Sequence, residues 1–145
     1  MSGFSMIEVL VALVVLALGL LGFALLQTMN LRYTQSADYR THATNLAYEL
    51  LDQMRVNRMT AADYEAASFN DAAAVQGDCD RPTGQSVEVG TIIGRWQCQV
   101  ISTLGQESAA TVEFNEVSGL VTIELDWGDR VQSDPMTSFE LETFL

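Results

Sequence analysis

Residues 9–26 are without exception apolar or glycine, and Glu8 stands directly before them. Eighteen such residues make about 27 Å of α-helix at about 1.5 Å per residue, close to the roughly 30 Å hydrocarbon thickness of a bilayer. Met6, Ile7 and the uncharged residues 27–31 extend the stretch far enough to span, and no charge falls between Glu8 and Arg32. A carboxylate at the mouth of such a run is costly unless it has a partner. A secretory signal peptide has a basic n-region, a shorter apolar core and a small-x-small cleavage site. No Lys or Arg precedes this run, and no clean site follows it. A plain signal anchor accounts for the run but leaves Glu8 and the preceding G-F-S unexplained.

The stretch G-F-S-M-I-E-V-L-V-A-L, residues 3–13, resembles the N-terminal signature of type IV pilins and pseudopilins. In that family a prepilin peptidase, which is also an N-methyltransferase, cuts after the glycine and methylates the new terminal residue. A glutamate then lies fifth in the mature chain. Taken residue by residue, the resemblance implies cleavage between Gly3 and Phe4 and N-methylation of Phe4. It also implies an assembly role for Glu8, whose carboxylate would pair with the N-terminal amine of a neighbouring subunit. That amine exists only after cleavage, about one helical turn from Glu8. In a low-dielectric helix bundle the attraction is strong and can set axial register. Glu8 can also snorkel to the headgroups, and the two roles can alternate before and after assembly. The implied leader, residues 1–3, lacks the basic residue that leaders of the family usually carry, so a start codon upstream is one expectation. Gly19 and Gly22 inside the run permit close helix approach or local melting, though glycine is also simply common in membrane helices.

Beyond Arg32 the helical pattern continues in amphipathic form. Ala43, Leu46, Ala47, Leu50, Leu51 and Met54 fall at i, i+3, i+4, i+7, i+8 and i+11, one stripe of a 3.6-residue period. Neither proline nor glycine occurs between Gly22 and Gly77. The pattern predicts one helix over residues 4–58, membrane-spanning over about 7–29 and covered on its distal stripe by the rest of the chain. The segment H-A-T-N-L-A-Y-E-L-L-D-Q-M-R-V-N-R, residues 42–58, is similar to the PilV-type minor pilins, also called type IV pilus modification proteins. Arg55 and Arg58 can equally serve the last helical carbonyls.

Residues 60–84 read as a loop with one short helical turn near 61–67. Ile92, Ile93, Trp96, Val100, Ile101 and Leu104 have helical spacing and predict a second helix over 90–104, although Val87, Val89, Ile92 and Ile93 alone could form a strand. Period-two alternation follows at Val112 and Phe114, at Val121, Ile123, Leu125 and Trp127, and at Phe139 and Leu141. Turns are predicted at 115–119 and 128–135, and the alternating glutamates face water. The class is therefore α+β. The resemblance implies a type IV pilin fold: a long N-terminal helix packed by a small antiparallel sheet of three or four strands, with residues 59–145 as a periplasmic globular head. An even cysteine count beyond the inner membrane suggests a structural disulfide between Cys79 and Cys98. Closing that loop is worth about 3 kcal/mol in the chain-entropy model. Two free buried thiols are the alternative.

Net charge is −12, and all seven basic residues are arginines. Such a chain repels phosphate backbones, which argues against nucleic-acid binding. One histidine, His42, supplies no nucleophile–base pair. No phosphate loop or zinc motif is present, so no enzyme, cofactor or metal is expected. Asp78 and Asp80, and Asp126, Asp129 and Asp134, are better read as solvated turn carboxylates than as a calcium site. The sequence thus points to a structural minor pilin in the inner membrane, single-pass, helping to initiate pilus assembly and surface display. Its implied partners are the prepilin peptidase, other minor pilins, the major pilin and a tip adhesin. A minor pseudopilin of type II secretion shares the signature, and a membrane-tethered binding or enzymatic domain is the competing class.

Overall fold

The computed structural model describes residues 3–75, 79–80, 88–128 and 136–145. Helix α1 spans Met6–Val56. A 3₁₀ helix at Arg58–Ala67 and a short one at Ala72–Ala74 follow. Then come α2 at Val89–Leu104 and the strands β1 (Ala109–Asn115), β2 (Leu120–Gly128) and β3 (Met136–Phe144). The architecture is α+β and pilin-like. Met1, Ser2, Asp78, Asp129, Asp134 and most of the predicted 128–135 turn lie outside the described residues.

The chain divides into two compact units, Met1–Gln35 and Ser36–Leu145. In the first, every described residue is exposed. The apolar helix of that unit has nothing of its own to pack against, and by length and composition it could cross a membrane. Ser5 sets its start, because the Ser5 carbonyl accepts from the amides of Glu8 and Val9 at 3.0 and 3.3 Å. The helix therefore begins two residues later than the predicted Phe4.

In the second unit, the six stripe residues Ala43, Leu46, Ala47, Leu50, Leu51 and Met54 are the buried residues of α1. They join one core with Trp96 and Val100 of α2 and with Val121, Ile123, Leu125 and Trp127 of β2. Asn57 ends α1 through non-helical backbone angles (φ −109°, ψ 44°), and its side-chain amide donates to the buried Tyr64 hydroxyl at 2.7 Å. Burial of that phenol raises its pKa above the ordinary tyrosine value. Residues 58–67 are 3₁₀-helical on both sides of a kink at Thr60 (φ −122°, ψ 25°), so the helical turn expected near 61–67 is present and helical backbone also precedes it. Ala61, Tyr64 and Ala67 pack inward, which a composition rich in small residues does not announce.

Helix α2 is secured by four consecutive side chains. Arg95 reaches Glu49 at 3.7 Å. Trp96 is buried, and its indole N–H donates to the Leu46 carbonyl at 2.8 Å. Gln97 donates to the carbonyls of Ala66 and Ala67 at 3.2 and 3.1 Å. Cys98 is disulfide-bonded to Cys79, with Cα atoms 5.2 Å apart. The helical reading of this segment holds from Val89 to Leu104, and the strand reading does not. Its helical apolar spacing feeds the core with Ile93, Trp96, Val100 and Leu104.

The strands form an antiparallel sheet in the order β1-β2-β3, with Val112 opposite Ile123 and Ile123 opposite Leu141. Between β1 and β2, the Asn115 side-chain oxygen accepts from the amides of Val117 and Ser118, both at 3.0 Å. Gly119 then turns the chain at φ +74°, a conformation that glycine adopts without penalty.

Replacing Trp96 with Phe should cost about 1 kcal/mol through the lost hydrogen bond. Trp96→Ala should cost about 3–5 kcal/mol through the cavity it leaves. Removing the disulfide by Cys79→Ser with Cys98→Ser should cost about 3 kcal/mol. Urea unfolding of the detergent-solubilised protein checks all three.

Candidate functional site

The residues singled out at the N-terminus are adjacent in sequence but differ in local structure. Gly3 and Phe4 lie outside the helix and are exposed. Glu8 occupies the first turn of α1, where the positive end of the helix dipole favours a carboxylate. Glu8 is exposed, and no described side chain forms an ion pair with it. A Cβ built on Gly3, Gly19 or Gly22 would meet nothing within 4 Å. The surface at these positions is therefore open to another helix. Chemically, the first turn offers one negative charge at the start of an apolar helix, and a protonated amine of matching depth would neutralise it.

The remaining candidates separate into structural and solvated groups. Cys79 and Cys98 are joined as one bridge. His42 is exposed and faces Asp38 at 3.6 Å, one turn earlier on α1. Arg55 bonds Asp52 at 3.2 Å on the helix surface. Among the described residues no group of three or more His, Cys, Asp or Glu could hold a metal ion.

One charged surface was legible only as alternation. The register sets Glu113, Thr122 and Glu142 in one cross-strand row, Thr111, Glu124 and Glu140 in the next, and Asp126 opposite Ser138. These rows occupy the sheet face opposite the core. Five carboxylates therefore share the outer face, and the described strands contribute no basic residue to it. The Glu124 carboxyl is held above its ordinary pKa, first by the negative charge of Asp126, then by desolvation and by Glu140 and Glu113. Asp126 is raised by desolvation.

The exposed edge of β1 is closed by residues that no sequence pattern marked. Phe69 and Ala110 exchange backbone bonds at 2.8 and 2.9 Å. The Ser68 hydroxyl accepts from the Val112 amide at 2.9 Å and donates to the Val112 carbonyl at 3.3 Å. Glu65 accepts from the Phe114 amide at 3.0 Å. Ser, Glu and Phe at the end of a small-residue segment carry no signal for this role until the segment is placed beside the strand.

A family model described as the prokaryotic N-terminal methylation motif matches residues 1–24. The match includes Gly3, Phe4 and Glu8 and stops inside the apolar run. It implies processing by a prepilin peptidase and association with a membrane. Neither the curated proteins nor the solved structures contain a match to this chain.

Because Glu124 is raised, the folded carboxyl retains its proton to higher pH than the unfolded one. Folding is therefore penalised above the raised value, and the penalty fades as pH falls through it. Glu124→Gln should raise the melting temperature modestly at neutral pH, and the difference should shrink towards about pH 4. Melting curves of the two proteins across that range check it.

Proposed function

We propose that this chain is a minor pilin of a type IV pilus, of the PilV type. The observation that carries the reading is the methylation-motif match over residues 1–24. It coincides with an exposed, non-helical Gly3–Phe4 link two residues ahead of α1. The peptidase removes residues 1–3 and methylates Phe4. Residues 7–29 or thereabouts anchor the subunit in the inner membrane, and residues 59–145 form the periplasmic head. The chain serves assembly rather than catalysis.

The physical mechanism is helix packing plus one ion pair. Cleavage exposes the Phe4 amine, and the Glu8 carboxylate of a neighbouring subunit neutralises it within the apolar bundle. An unpaired charge there is costly, so only the register that pairs the two is stable. Open surfaces at Gly19 and Gly22 allow the helices to approach. The similarity of residues 42–58 to the PilV-type minor pilins supports the finer assignment. Under this reading the subunit joins other minor pilins and the major pilin in priming assembly and supports a tip adhesin at the surface.

Intact-mass measurement of the membrane-extracted protein is expected to show loss of residues 1–3 and gain of one methyl group; an uncleaved N-terminus would overturn the reading. The Glu8→Ala variant should still be cleaved but should fail to enter filaments, and normal assembly would contradict the ion-pair mechanism. Deletion should abolish surface pili while leaving protein secretion intact. The opposite outcome would identify a minor pseudopilin of type II secretion instead.

A further inference from the structure

We propose that the outer edge of β3 is a docking site for an extended segment of a different protein chain, one whose side chains alternate apolar and basic. The inference stands on the sheet alone and not on the pilin reading. The two sheet edges are unlike. Ser68, Phe69 and Glu65 occupy the backbone groups of β1 as described above, whereas no described residue pairs with the outer edge of β3. The Leu145 amide donates to the Gly119 carbonyl at 2.9 Å, which sets the phase of the ladder. Antiparallel alternation then turns the N–H and C=O groups of Ser138, Glu140, Glu142 and Phe144 away from β2. The strand is nine residues long, contains neither Pro nor Gly, and keeps unbroken register with β2 from Phe144 to Met136. A long regular edge of this kind is a template for strand addition.

The faces on either side of that edge specify the occupant. On the inner face, Val121, Ile123 and Leu125 of β2 are wholly buried, whereas Phe139 and Leu141 of β3 are only half-buried. An added strand with apolar side chains beside them completes their burial. On the outer face, the neighbours of the added strand are Glu140 and Glu142, backed by Glu124, Asp126 and Glu113. Lys or Arg at the outward positions of the occupant would complement them. A second copy of β3 would instead set Glu140 and Glu142 against their own counterparts, and like charges across a strand pair are unfavourable. The edge therefore discriminates against self-pairing and selects a basic partner strand.

The test uses the full chain in detergent micelles with a synthetic peptide matched to the length of β3, alternating valine and arginine. A composition-matched scramble and a valine–glutamate alternation serve as comparisons. Fluorescence anisotropy should show the valine–arginine peptide binding about tenfold or more tightly than either comparison. Residue-resolved hydrogen exchange should slow at the amides of Ser138, Glu140, Glu142 and Phe144 when that peptide is bound. Glu142→Pro removes an amide that β2 does not use, and it should weaken binding by about tenfold with the circular dichroism unchanged. Should that variant fail to fold, N-methylation of alternate peptide amides tests the same hydrogen bonds on the wild-type protein. Equal binding of the scramble, unprotected amides at those four positions, or undiminished affinity of the N-methylated peptide overturns the proposal. A peptide-free dimer protecting the same four amides overturns it as well.

Discussion

Burial of one stripe on the distal half of α1 is the constraint on which the second unit depends. A three-stranded sheet exposes an apolar face that must be covered, and α1 cannot leave Leu50, Leu51 and Met54 in water. Helix α2 ties the two demands together. Its indole donor lands on the Leu46 carbonyl within the core, so the helix is located by a directional bond as well as by contact. The residues on either side of Trp96 reach α1 and the 3₁₀ helix, and Cys98 adds a covalent tie to Cys79. Four neighbouring positions pointing to four attachment points leave α2 little freedom to slide or rotate.

Polar economy explains the rest of that unit. Backbone groups near the core need partners, and Ser68 and Glu65 supply them where β1 would otherwise present a bare edge. Five carboxylates share the outer face of the sheet, where water screens them but does not remove the mutual repulsion around Glu124. The fold tolerates that cost. A surface held at some expense in stability and lying beside an open strand edge has the character of a recognition surface.

The first unit obeys different physics. Its described residues are all exposed, and an apolar surface of that length is of the kind that lipid or other helices cover. The single carboxylate at its start is then the one charged side chain between the N-terminus and Arg32. An ion pair there can select a register that uniform aliphatic packing leaves undetermined.

Much of this was legible in the sequence because periodicity encodes burial directly. The stripe from Ala43 to Met54, the helix around Trp96 and the alternation through Val121, Ile123, Leu125 and Trp127 each state which side faces inward, and the core contains those residues. The glycine, phenylalanine and glutamate ahead of the apolar run were legible as a methylation motif, which the match over residues 1–24 supports. The 3₁₀ segment at Arg58–Ala67 was only partly legible: a helical turn near 61–67 is expected, but alanine-rich composition fits loop and helix alike, and the Asn57–Tyr64 bond is specified by side-chain geometry. The closure of the β1 edge and the openness of the β3 edge were also beyond the sequence. Hydrogen bonds between segments that lie some 44 to 49 residues apart leave no local pattern. Sequence alone therefore determined which faces are apolar and which stretch is apolar enough to cross a membrane; only tertiary structure decided which backbone edges are satisfied, because that depends on which distant segments come to lie beside each strand.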